Sequence, residues 1–240
     1  MTQTLQAPPV RVISRPSHRP RRRRLRANLV IPSAILGLLV LAATLPGLLA
    51  PGDPLAMEPA NAFAHPSLAH PFGTDESGRD IFTRVIHGAR DSLGIGLMAT
   101  VIGVGLGLVL GVIAGWGSQA VDFGVNRILE VLFAFPSLLL ALLVITILGP
   151  GEMAITLAVG LSTAPGYARI IRSQVLSVKT SGYVEASIVQ GRSKWFLIRR
   201  HVLPNVAAPL FVLVTLGVGQ AIVWASSLSF LGLGTTPPAP

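Results

Sequence analysis

The sequence predicts an all-α, polytopic membrane protein with five transmembrane helices, and three observations carry that expectation. Of 240 residues, 51% are apolar and only 12% are charged, about half the charge of an ordinary soluble domain, and the mean hydropathy is +0.65. The charges are also segregated: residues 27–52, 92–121, 131–151, 153–168 and 202–240 contain no Asp, Glu, Lys or Arg. Four of these runs reach the roughly 20 residues that a helix needs to cross a bilayer core. The run 153–168 falls slightly short, and it gains length if Arg169 and Arg172 snorkel to the interface. Finally, the cations cluster. Eight Arg lie in residues 11–26, and seven Lys/Arg face a single Glu in residues 169–200, which puts both stretches on the cytoplasmic side.

Composition also excludes. The chain has no cysteine, so disulfides, thiolate metal sites and cysteine nucleophiles are absent. The net charge of +9 sits in the arm and one loop, so it is topological and does not point to nucleic acid. His65, His70 and His87 lack the spacing of metal ligands, and no metal site is expected. The spans contain no Asp, Glu, Lys, Arg or His, which argues against a proton-coupled secondary transporter, and no nucleophile–base pair, which argues against an intramembrane enzyme.

Residues 1–26, rich in Pro, Arg and Ser, read as a disordered basic cytoplasmic arm that touches anionic membrane lipid. The apolar run after it is too long for a cleaved signal peptide and reads as the first span, 28–50, opening a transmembrane domain over 27–240. The extracytoplasmic loop 51–91 carries three Arg against six acids. Within it, residues 70–80 have the Gly, Pro and Asp of a shaped turn that leads into a short interfacial helix over 81–88.

In the second span, 92–117, Gly103, Gly107, Gly111 and Gly115 recur every four residues and share one helix face. Such a face serves either packing within the subunit or sliding between moving helices, and the sequence leaves both open. A short inner loop with Asp122, Arg127 and Glu130 precedes the third span, 131–148, where Phe135-Pro136 predicts a kink that can border a pathway. Gly149-Pro150-Gly151 forms an outer turn before the fourth span, 153–168. The cytoplasmic loop 169–204 then leads to the fifth span, 206–229, and the proline-rich end lies outside.

The stretch 181–205 stands apart as a polar, basic island between apolar segments. Val184, Ile188, Trp195, Phe196 and Ile198 supply apolar anchors, with Glu185, Gln190, Arg192, Lys194, Arg199 and Arg200 at the rim. Gly191 separates two expected short helices, and Pro204 falls at a tolerated early position of the next span. Such an element fits a groove on a soluble partner or lies on the lipid surface.

Glu185-Ala186-Ser187, three residues, Gly191 and then Leu203-Pro204 resemble the EAA loop of permease subunits of ATP-binding-cassette importers, with Ser187 in place of the second Ala and His201 where Ile is usual. His201 through Asn205 resembles the dipeptide, oligopeptide and nickel branch, as do residues 70–80, 88–90, 134–137, 167–169 and 228–234, in the right order. The resemblance implies a type I importer permease fold and a cell inner membrane location with a cytoplasmic N-terminus. It also implies the partners: a second homologous permease subunit, two ATPase subunits that carry ATP and Mg, and an extracytoplasmic substrate-binding protein. The chain lacks a Gly-rich loop followed by Lys-Ser or Lys-Thr, so no cofactor is expected on it. By the resemblance, Tyr183, Glu185, Ala186, Ser187, Gly191, Arg192, Trp195, Leu203 and Pro204 form the ATPase-docking loop, and peptides, nickel or small conjugates are the cargo. Three departures accompany it. Ala225 and Ala164 stand where relatives often have Glu and Trp, and the sixth helix of relatives is expected to be missing after Pro240. The competing readings are a membrane scaffold or receptor that recruits a soluble protein, and a secondary transporter.

Overall fold

A computed structural model describes residues 24–234, with side chains from residue 29 onward. Most of the basic arm and the proline-rich end lie outside the described residues. Helix α1 (Arg24–Thr44) starts earlier than the expected domain boundary, so residues 24–26 are helical and not disordered. Arg, Leu and Ala are strong helix formers, and no proline interrupts them before Pro32. The chain divides after Val40 into two units, and the elements from Leu41 onward belong to the second.

After the short helix α2 (Pro46–Leu49) comes the loop to residue 80, which is folded by its own polar groups. The Asp75 carboxylate accepts from the backbone N–H of Ser77 (2.8 Å) and of Arg79 (3.0 Å), and from the Arg79 guanidinium (2.9 Å). Burial pushes the Asp75 carboxyl up, but these backbone and guanidinium donors outweigh it and hold it below the usual range. Gly78 makes this turn at φ +75°, a conformation that excludes ordinary side chains. Asp80 closes the loop and caps the next helix, accepting from the Thr83 N–H at 2.9 Å.

That helix, α3 (Ile81–Trp116), runs 36 residues without a break. The expected interfacial helix over 81–88 is its first two turns, because a lone Gly88 costs only about 1 kcal/mol in a helix interior, less than packing returns. Gly103, Gly107, Gly111 and Gly115 face α6 (Glu152–Lys179) and meet Thr163, Tyr167, Ile171 and Val175 in turn. A Cβ at Gly107 would stand 2.5 Å from the Tyr167 Cβ and 2.9 Å from the Ala168 N, so only glycine permits this approach. Contacts that rise together in residue number make the pair parallel, as spans two and four must be. The packing therefore lies within the chain.

Helix α4 (Gln119–Phe133) replaces the expected short loop. Ser118 caps it, Asp122 sits in its first turn where the helix dipole favours an acid, and Leu129 is buried beneath it. It meets α5 (Ser137–Leu148) at 89° across Ala134 to Pro136. The expected kink is thus a right-angle break, since Pro136 offers no N–H and holds Phe135 away from helical geometry. Consequently Val131 to Phe133 belong to α4, not to the span that follows.

Arg169 and Arg172 do not simply snorkel. Arg172 forms a bidentate pair with Asp122, 2.6 Å at both contacts, and Asn126 donates to the same carboxylate. The Arg169 guanidinium lies 4.1 Å over the Phe133 ring. These contacts fasten α4 to the lower half of α6. Helix α7 (Gly182–Val189) and a long helical segment from Lys194 to Leu233, which leaves helical geometry at Gly232 (φ +80°), complete the unit. The latter comprises α8 (Lys194–Leu197), a wide π turn, α9 (Leu203–Leu228) and a second π turn. Among the described residues, 81–116, 152–179 and 194–233 are long and apolar enough to cross a membrane, the bent α4–α5 pair counts as a fourth, and the apolar part of α1 (Leu29–Thr44) is shorter.

Gly107→Val should force α3 and α6 apart and lower stability by about 1–3 kcal/mol, read as a reduced melting temperature in detergent. The same substitution at Gly105, which meets open space, should be close to neutral. A double-mutant cycle of Asp122→Ala and Arg172→Ala should return a coupling of about 1 kcal/mol, because the pair is bidentate yet partly solvated. Strict additivity would show that the pair does not fasten α4.

Candidate functional site: the helical projection

The expected loop 169–204 is mostly helix. Residues 169–179 complete α6, because they contain no breaker and bury Ile171 and Val175 against α3. The true connections are only Thr180 to Ser181 and Gln190 to Ser193. Between them α7 projects from the bundle. Val184 is fully buried on its inner side, while Tyr183, Glu185, Ala186, Ile188 and Val189 are exposed. The Glu185 carboxylate has no partner among the described residues.

Gly191 turns the chain at φ +74°. The Ser193 hydroxyl then accepts from the Phe196 N–H at 3.3 Å and starts α8. This second helix is not separate: it continues into the last span. Pro204 therefore sits inside a continuous helix. Its absent N–H and its ring are accommodated by the π turn at Ile198–Val202, where the Leu203 N–H reaches back to the Ile198 carbonyl. Leu197 and Val202 face inward and are buried, as Val184 is. Trp195 is 67% exposed and stands outward with Arg192, whose guanidinium lies 5.1 Å over the Phe196 ring. The projection therefore has an inner apolar seam and an outer face with an aromatic, a free carboxylate and cations.

Sequence reasoning missed the clasp that closes it. The Ser187 hydroxyl lies 3.3 Å from the His201 Nε2, the Tyr183 and His201 rings are 5.5 Å apart, and Asn205 donates to the His201 carbonyl at 2.6 Å. Ser187 and His201 are the two departures from the EAA pattern, and they meet each other. Two polar substitutions fourteen residues apart, each replacing an apolar residue in the same motif, were the available signal.

Beside the α4–α5 break lies a cavity of about 320 Å³. Phe135 borders it, together with Ser137, Ser162, Thr163, Gln220 and Trp224, which the sequence did not single out. Its hydroxyls, amide and indole sit among apolar neighbours. Pro136 shapes the break without lining it. Among the described residues no group of three His, Asp or Glu could hold a metal ion. The arrangement can dock a partner and border a passage.

Residues 107–240 match the family described as binding-protein-dependent transport system inner membrane component. The dipeptide transport system permease protein DppC of Alkalihalophilus pseudofirmus is 40% identical over 212 residues, covering 86% of this chain and 70% of that protein. The glutathione transport system permease protein GsiD of Pectobacterium atrosepticum is 40% identical over 175 residues, covering 73% of this chain and 58% of that one. DppC of Bacillus subtilis is 44% identical over 173 residues, 72% of this chain and 54% of its own length. The chain thus spans between 54 and 70% of the length of these three relatives. A chain of the MetNI methionine ABC transporter superposes with a TM-score of 0.54 at 20% identity, over 60% of this chain and 73% of that one, a likeness of fold. On the family match over 107–240 and the 40% identity to relatives across most of the chain, this protein belongs to the inner membrane components of binding-protein-dependent transport systems.

Proposed function

We propose that the chain is the membrane subunit of an ATP-driven importer, that it forms half of the passage for peptides, and that its cytoplasmic projection receives the ATPase. The observation that carries this reading is the projection itself: Glu185 free, Gly191 in a left-handed turn and Pro204 in the stem, at EAA spacing, on a helix pair buried into the bundle. Peptides are favoured over nickel because the matched relatives are named for dipeptide and glutathione transport. A second permease subunit completes the passage, two ATPase subunits supply ATP and Mg, and a binding protein delivers cargo from outside. The N-terminus lies in the cytoplasm, with the loop of Asp75 outside.

In this reading the outer face of α7 enters a groove on the ATPase. Glu185 pairs with the groove's rim, and Tyr183 and Trp195 fill apolar contacts. Closure of the ATPases pushes α7, and the push travels along two routes. One is α6, continuous with the turn at Thr180; the other is the Lys194–Leu233 helix. Both line the cavity at the α4–α5 break, so its width changes with the push. Ser137, Ser162, Thr163 and Gln220 then present hydroxyl and amide groups to a peptide backbone as it passes.

The complex purified through a tag on this chain should contain a second permease and the ATPases. In that complex, Glu185→Lys or Gly191→Pro should lower uptake by about tenfold or more, the cost of losing an interface hot spot, while basal ATP hydrolysis persists. Proline cannot adopt the +74° φ of Gly191. Unchanged uptake in both variants, or a lone homo-oligomer, would overturn the reading. Single cysteines introduced at Lys194 and Asp75 should label from opposite sides, Lys194 from the cytoplasm. Labelling of both from one side would overturn the topology.

A further inference from the structure

A second cavity lies beneath the projection and shares Arg192 with its docking face. It encloses about 730 Å³ between the end of α3, the start of α4, the end of α6 and the α7–α8 turn. Val112, Trp116 and Leu197 form an apolar trough, and Lys179, Arg192 and Lys194 stand around it. We infer that this groove binds an anionic phospholipid, with the phosphate among the three cations and an acyl chain along the trough.

The chemistry of the lining selects this occupant. No carboxylate is among the residues that line the groove. The nearest acid on α4, Asp122, has both oxygens committed to Arg172. Lys179 is placed at the wall by a 3.4 Å bond from Nζ to the Gly115 carbonyl and by the Trp116 ring, 5.8 Å from its centroid. An ammonium has three donors, so this bond leaves two for a phosphate. Lys194 is exposed and has no partner among the described residues, and the Arg192 guanidinium only stacks on Phe196. Arg192 and Lys194 have no carboxylate partner, and Lys179 feels only the nearby charge of Asp122, which Arg172 already engages, so the three together call for an anion. A free anion would leave the trough unfilled and a neutral lipid would leave the cations unpaired, whereas an anionic amphiphile satisfies both. The site is also at the right level. Trp116 ends a helix long and apolar enough to cross the membrane, where tryptophan marks the headgroup layer, and basic pockets between helices on the cytoplasmic side bind lipid headgroups.

Native mass spectrometry of the full chain in its purified complex, titrated with phosphatidylglycerol or phosphatidylcholine, tests the assignment. Wild type should retain phosphatidylglycerol in preference. Lys179→Gln with Lys194→Gln should lower that retention by about tenfold or more and leave phosphatidylcholine unchanged. Arg127→Gln removes one charge from α4 away from the groove and should have no effect. Lys194→Gln alone alters only an exposed side chain, and a partial loss there supports the site even where the double variant does not fold. Equal retention of the two lipids, undiminished phosphatidylglycerol in Lys194→Gln and the double variant, or the same loss in Arg127→Gln would overturn it. Displacement of the lipid by inorganic phosphate alone, or retention only after the partner subunits are stripped away, would overturn it as well.

Discussion

The close approach of α3 and α6 is the constraint from which the rest of the second unit follows. Four glycines on one helix and four larger residues on the other, each set spaced by four, bring two backbones together in parallel from Gly103 to Gly115 on α3 and from Thr163 to Val175 on α6. In a bilayer the hydrophobic effect does not drive helices together, and contact of this kind supplies dispersion over a long, narrow seam. With α6 fixed this way, its lower half extends as a stem beyond the apolar segment. Asp122 and Phe133 then have a firm edge to grip, and α4 is held across the base of the bundle.

The helical projection depends on that stem. A loop of disordered chain could present the same residues, but it would have to be ordered on each encounter, at a cost of roughly 1–2 kcal/mol per residue. Here only two short connections are non-helical, and the inner seam of Val184, Leu197 and Val202 fixes α7 against the helices on both sides. The Ser187–His201 contact adds a polar closure at the same place. The outer face is thus pre-organised, with Glu185 and Trp195 exposed on a rigid support.

Several features were legible in the sequence for identifiable reasons. Charge-free runs mark apolar helices because a charge in hydrocarbon is expensive, and glycine at every fourth position marks a face because the helix repeats at nearly that interval. Gly191 announced a left-handed turn. What the sequence hid is equally physical. Helix α4 carries Asp122, Arg127 and Glu130, and a reading based on charge density takes such a stretch for loop; its helical character lies in the capping Ser118 and in Leu129. The pairing of Asp122 with Arg172 spans fifty residues and leaves no local trace. Val184 and Trp195 are both apolar in composition, and only the fold shows that one is an inward anchor and the other an outward tip. The polar lining of the cavity at the α4–α5 break comes from single Ser, Thr and Gln residues scattered among apolar ones on three helices, a pattern that no linear motif records.

The forty-residue helix from Lys194 to Leu233 has a mechanical consequence. At 1.5 Å per residue it is about 60 Å long, and it begins within the projection. A rod of this kind is a lever: a small tilt imposed at its foot becomes a large sideways excursion at its head. The two wide turns set where such a lever can yield. The one at Ile198–Val202 lies next to the foot and the other, at Ser229–Leu233, lies next to the head, while Pro209 removes one hydrogen bond from the 26 residues between them. Pro204, whose ring opens the lower turn, thereby sets the position of the fulcrum.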